Sequence, residues 1–113
     1  MTEDDKFLLN TKIQEYCQYW VPILGLQRWI IAATLVDSSK TEMEYDLMTG
    51  TASIRLASPE QWSQQYPNLQ YDIESVLVAN LLRLSLEHKK QSLAINYLAR
   101  VLIQFRKTIN PST

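Results

Sequence analysis

The strongest constraint on this chain lies in residues 71–86: Tyr71-Asp72-Ile73-Glu74-Ser75-Val76-Leu77-Val78-Ala79-Asn80-Leu81-Leu82-Arg83-Leu84-Ser85-Leu86. After an acidic lead-in the run is dominated by aliphatic side chains. It falls short of the ~20 apolar residues that a membrane-spanning helix needs, so the remainder of the chain has to cover it. Asp72 and Glu74 put negative charge where a helix N-terminus favours it. The pattern predicts a buried helix from about Tyr71 to Glu87, packed through Ile73, Leu77, Leu81 and Leu84, with Val78 and Leu82 beside them.

The flanking segments supply the cover. Phe7, Leu8, Ile13, Tyr16, Cys17 and Trp20 recur at helical spacing, predicting an amphipathic helix from about Asp5 to Trp20 that Pro22 and Gly25 end. Residues 27–37 are rich in β-branched and aromatic side chains and read as a strand. Residues 44–47 and 52–57 flank a connection containing Gly50, which predicts a hairpin. Ser58-Pro59-Glu60 is a helix start, with a capping Ser, Pro at the first helical position and an acid in the first turn. That short helix stops before Tyr66-Pro67. A break near His88-Lys89-Lys90 leads to a last helix reaching about Lys107. On it Ile95, Leu98, Leu102, Phe105 and Ile109 form one apolar stripe. Residues 110–113 are expected to fray. The fold class is therefore α+β, a single domain over residues 1–113: an N-terminal helix, a small three-stranded sheet with a hairpin, a short helix and two long C-terminal helices.

Composition narrows the function classes. At 113 residues the chain can build one real core but not two. A net charge of −1 gives no bulk footprint for nucleic acid. With only Gly25 and Gly50 there is no glycine-rich phosphate loop. The acidic start, Glu3-Asp4-Asp5, is unlike a signal peptide. Cys17 is the sole cysteine, which excludes an intrachain disulfide and suits a reducing cytoplasm. Its spacing from Ile13 and Tyr16 makes it a small core residue. His88, among Glu87, Lys89 and Lys90, complements a helix end or is solvated.

The 71–86 run, the order of elements, Trp29-Ile30-Ile31 opening the first strand and residues 51–56 as an edge-strand lookalike together resemble the minimal zincin-like group of small bacterial and phage-encoded metallopeptidases. In that family the corresponding helix carries His-Glu-x-x-His, in which two His one turn apart share a zinc ion and the Glu acts as general base. Here Ala79, Asn80 and Arg83 stand at those positions. Alanine has no donor atom, Asn80 cannot take a proton from water, and Arg83 is a permanent cation that repels a divalent metal. The family's further Glu ligand would fall in residues 91–100, which hold no carboxylate. The resemblance thus implies a pseudoenzyme with no metal and no cofactor. It also implies a phage or mobile-element setting, in which the protein binds or regulates a host protein.

On a helix Val76, Ala79, Asn80, Arg83 and Glu87 share one side. That side is either the wet face of an amphipathic helix or the floor of the old cleft, with Val76, Asn80, Arg83 and Glu87 as its binding residues. Trp62, Tyr66 and Tyr71 form a second candidate surface, an aromatic patch for a protein or peptide partner or a cap on the core. The basic residues Arg83, Lys89, Lys90, Arg100, Arg106 and Lys107 scatter around their helices, which reads as a solvated surface. Two other classes stay open. A hydrolase with a relocated metal site would use Asp72, Glu74, Glu87 and His88, with Cys17 remote; a self-associating structural module would pair the last helix's stripe between copies. Neither a membrane nor a nucleic-acid partner is expected.

Overall fold

The computed structural model describes residues 2–86 and 93–109. Its elements follow the expected order: α1 (Glu3–Ile23), β1 (Ile30–Val36), β2 (Glu42–Asp46), β3 (Thr51–Ala57), α2 (Pro59–Gln65), α3 (Ile73–Ser85) and α4 (Leu93–Ile109). The expected break at residues 88–90 and the frayed tail at residues 110–113 lie outside the described residues.

Local chemistry sets the element ends. Thr2 and Asp5 form a reciprocal capping box at the start of α1. Pro22 does not stop this helix, as its sequence suggested, but sits inside the last turn. The stop comes at Gly25, whose φ of 72° places it in the left-handed region. There Leu26 N donates to Val21 O and Gly25 N to Pro22 O, the paired bonds that satisfy a helix's last carbonyls. Ser58 caps α2 with Pro59 at its first position, and Asp72 caps α3 by accepting from Ser75 N. Gly50, with φ of 67°, closes the β2–β3 hairpin.

The sheet order is β1-β3-β2. β3 pairs antiparallel with β2 through the hairpin and parallel with β1, in register Ile30↔Thr51 through Val36↔Ala57. Residues 51–56, which resemble an edge strand, are therefore the central strand. β3 is buried at Ala52, Ile54, Leu56 and Ala57, as its place between two neighbours requires. β1 and β2 are the edges; on β2 Glu42, Glu44 and Asp46 are exposed while Met43 and Tyr45 turn inward.

One face of the sheet packs on the helices. α3 is the central helix, with Leu77, Val78, Ala79, Asn80, Leu81, Leu82 and Leu84 all buried. The wet face expected at Asn80 is absent because α1, α4 and β3 all contact α3. On α4 the buried side is Ile95, Ala99, Ile103 and Arg106, whereas Leu98, Val101, Phe105 and Ile109 are exposed. The predicted stripe is thus split, with its buried part turned away from Leu98, Phe105 and Ile109.

Arg106, expected at a solvated surface, is the main electrostatic surprise. Its Nε donates to Glu74 Oε2 at 3.0 Å and its Nη2 to Glu74 Oε1 at 2.6 Å, while Trp20 Nε1 donates to Glu74 Oε2 at 2.9 Å. Trp20, Glu74 and Arg106 are 2%, 4% and 7% exposed. The carboxylate lies in the first turn of α3 and gains from the helix dipole. Three helices are tied by one side chain. Removing one member of a buried ion pair leaves the other charge stranded and typically costs about 3–5 kcal/mol. We expect Glu74→Ala to lower stability by about that amount in urea denaturation. The double variant Glu74→Leu/Arg106→Met should recover most of it; a double variant as unstable as Glu74→Ala would show that the charges themselves are not the issue.

Candidate functional site

The three positions that resemble a lost metal site all sit on α3. Ala79 is 2% exposed and contributes only a methyl group to the interior. Asn80 is 1% exposed. Its Nδ2 donates to Val76 O at 2.9 Å, and its Oδ1 accepts from Arg83 Nη1 at 2.9 Å. Val76, Asn80 and Arg83 thus form one hydrogen-bonded row along the helix, with Asn80 spent on holding Arg83 rather than presented to a ligand. Glu87, the fourth residue of the expected face, lies outside the described residues, as does His88.

Arg83 is half-buried and lines a depression of about 490 Å³ with Met43, Glu44, Tyr45, Asp46 and Leu47. Arg83 and β2 therefore face the same depression. The two edges of the sheet differ. On β1, α1 supplies the missing partners: Gln14 Nε2 donates to Ala33 O at 3.0 Å, and Asn10 Oδ1 accepts from Leu35 N at 3.3 Å. Among the described residues β2 has a strand on one side only. On the outer face of the sheet Arg55 reaches across to Glu42 at 3.1 Å and Glu44 at 3.3 Å.

The aromatic patch is real as a cluster. Trp62 stacks on Tyr71 at 5.1 Å and 28°, and Tyr66 leans on Trp62 at 5.0 Å and 44°. Tyr71 Oη donates to Ala57 O at 2.7 Å, which fastens the cluster to the end of β3. Burial pushes the Tyr71 hydroxyl up to about 12. Trp62, Tyr71 and Val76 line a cleft of about 610 Å³ whose far wall is α4. The structure therefore brings Val76 to the aromatic patch and Arg83 to the sheet edge, with Asn80 joining the two from inside.

Of the groups considered for a relocated metal site, Glu87 and His88 lie outside the described residues, and Asp72 and Glu74 are engaged elsewhere. Both oxygens of Glu74 are engaged by Arg106 and Trp20. Asp72 accepts from Ser75 Oγ at 2.6 Å as well as capping α3. Among the described residues no three His, Cys, Asp or Glu side chains lie close enough to hold one ion. Sequence reasoning missed the Trp20–Glu74–Arg106 cluster, although a signal was present. Glu74 opens an otherwise apolar helix, and Arg106 stands seven residues after Ala99 and three after Ile103, on the buried side of α4. No family model, curated protein or solved structure matches this chain.

Cys17 is partly buried, and burial raises its thiol from the ordinary 9.0 to about 11. The protonated thiol is a poor nucleophile at neutral pH. Because the folded state holds these protons more tightly than the unfolded chain, stability is full below pH 9 and falls as pH rises through 11 and 12. We expect the urea midpoint to decline over that window and the decline to shrink in Cys17→Ala and Tyr71→Phe. An unchanged slope in both variants would refute the assignment.

Proposed function

We propose that the chain is a catalytically inactive, metallopeptidase-like binding module that receives an extended segment of another protein along β2. The observation that carries this reading is that Arg83 lines a depression with β2, the sheet edge to which, among the described residues, α1 gives no hydrogen bond. An incoming strand gains main-chain hydrogen bonds from such an edge, and side-chain pockets select its sequence. β2 is five residues long, so the added segment is short. Asp46 points to the outer face and favours a basic residue on that side of the incoming strand, Glu44 being bridged by Arg55. Arg83, its orientation held by Asn80, borders the inner side of that edge. The chemistry at positions 79, 80 and 83 supports binding without hydrolysis. Ala79 offers no ligand, Asn80 no base, and Arg83 a charge that opposes a metal. By the resemblance the partner is a host protein met by a phage or mobile element.

The test is co-purification from a bacterial lysate with tagged wild type and Arg83→Glu, folding being checked by circular dichroism. We expect a partner held by the wild type and depleted at least about tenfold by the folded variant, as loss of a charge-assisted contact implies. A partner held equally by both would sink the edge-strand reading.

A second reading, self-association, draws on the exposure of Leu98, Val101, Phe105 and Ile109 on one side of α4. Steps of three and four residues make them a continuous ridge. Sedimentation over a hundredfold concentration range should then show dimerisation that Phe105→Glu abolishes. A monomer at all concentrations would remove this reading.

A further inference from the structure

The cleft between the α2–α3 connection and α4 is a separate surface from the β2 edge, and its chemistry is more selective. One wall is the Trp62–Tyr71 stack, fastened to β3 through Tyr71 Oη. Val76 supplies apolar surface within it, and the buried Ile103 closes its floor. The other wall is α4, with Arg100, Gln104 and Lys107. Both cations are exposed, and among the described residues neither has an ion-pair partner. The described α4 carries no acidic residue, so nothing on that helix offsets them. Asp72 at the near wall is engaged by Ser75 and makes that side unfavourable for a further anion. An anionic ligand is therefore directed to the α4 wall.

Spacing decides which anion fits. Arg100 and Lys107 are seven residues apart, so they project from the same side of α4 about 10 Å apart along the axis. A compact anion such as a single phosphate meets one of them. An extended polyproline-II-like peptide repeats every three residues and rises about 9 Å over that step. Two carboxylates three residues apart would meet both cations, and an intervening side chain would turn toward Trp62 and Ile103. We propose that this cleft binds a short acidic peptide in extended form, with one apolar or aromatic anchor between two carboxylates.

The experiment is fluorescence polarisation with the full chain and a fluorescein-labelled Gly-Glu-Ala-Phe-Glu-Gly peptide. We expect saturable binding that weakens as salt is raised, because the contacts are exposed charges. Arg100→Glu/Lys107→Glu should lose at least about tenfold in affinity, and the same peptide with Lys in place of both Glu should bind that variant better than wild type. Arg28→Glu/Lys40→Glu makes the same change in net charge at exposed sites away from the cleft and should bind as wild type. Trp62→Ala should weaken binding of the Phe peptide more than that of its Ala counterpart. The proposal is overturned by no saturation up to about 1 mM peptide. Equal loss in the Arg28/Lys40 control, or failure of the charge-swapped peptide to regain affinity, also overturns it. Displacement by ADP at lower concentration than by unlabelled peptide would overturn it in favour of a nucleotide site.

Discussion

The arrangement of helices rests on one carboxylate. Glu74 is the point at which α1, α3 and α4 meet, through Trp20 and Arg106. A buried charge without partners is too costly to keep, so each partner constrains the other two. Trp20 fixes how far α1 lies along α3. Arg106 fixes the rotation of α4, because only one face of that helix can deliver a guanidinium to Glu74 with two hydrogen bonds. That rotation buries Ile95, Ala99 and Ile103 and leaves Leu98, Phe105 and Ile109 outside. Both surfaces of α4, the apolar ridge and the cation-bearing cleft wall, follow from it. Arg106 also lies 5.9 Å from the ring of Tyr19, which extends the same contact toward α1.

The second organising fact is the asymmetry of α3. Its Val76–Asn80–Arg83 row runs from the aromatic cleft to the sheet edge, and internal hydrogen bonds hold it together. A surface helix would offer those side chains to solvent. A core helix has to satisfy them inside, and Asn80 does so by bonding one turn back and three residues on. The polar side chains therefore serve geometry first: Asn80 orients Arg83, and Arg83 lines a depression with β2.

Much of this was legible in the sequence, and the misses have physical reasons. The order of elements, the hairpin at Gly50, the Ser58-Pro59 helix start and the burial of α3 all follow from short-range signals: caps, turn residues and periodicity. Residues 51–57 could not be placed within the sheet from their own pattern, because β1 joins β3 across the intervening β2, and no local feature records that pairing. The buried pairing of Arg106 has no signature within α4 itself. Its partner, Glu74, lies 32 residues earlier in the chain, where it read only as a favourable helix-start charge. Asn80 and Arg83 were singled out by the residues they replace in a resemblance. Their hydrogen bond is a simple i, i+3 contact on one helix, but Asn80's burial depends on elements far away in sequence.

The sheet order carries a consequence for how the chain assembles. β2 and β3 are joined by a tight turn and can pair as soon as they are made. β1 is matched on its outer edge by Asn10 and Gln14 of the preceding helix, so α1 and β1 also form a neighbourly unit. Neither unit is complete alone, for β1 finds its inner partner only in β3, and the parallel seam between them closes a loop rather than extending a turn. Closing such a loop costs chain entropy before its contacts repay it. The Trp20–Glu74 contact, bridging 54 residues, spans that same divide. The β1–β3 seam is thus a joint between two local pieces of the sheet, and its closure is where a kinetic barrier to folding would concentrate.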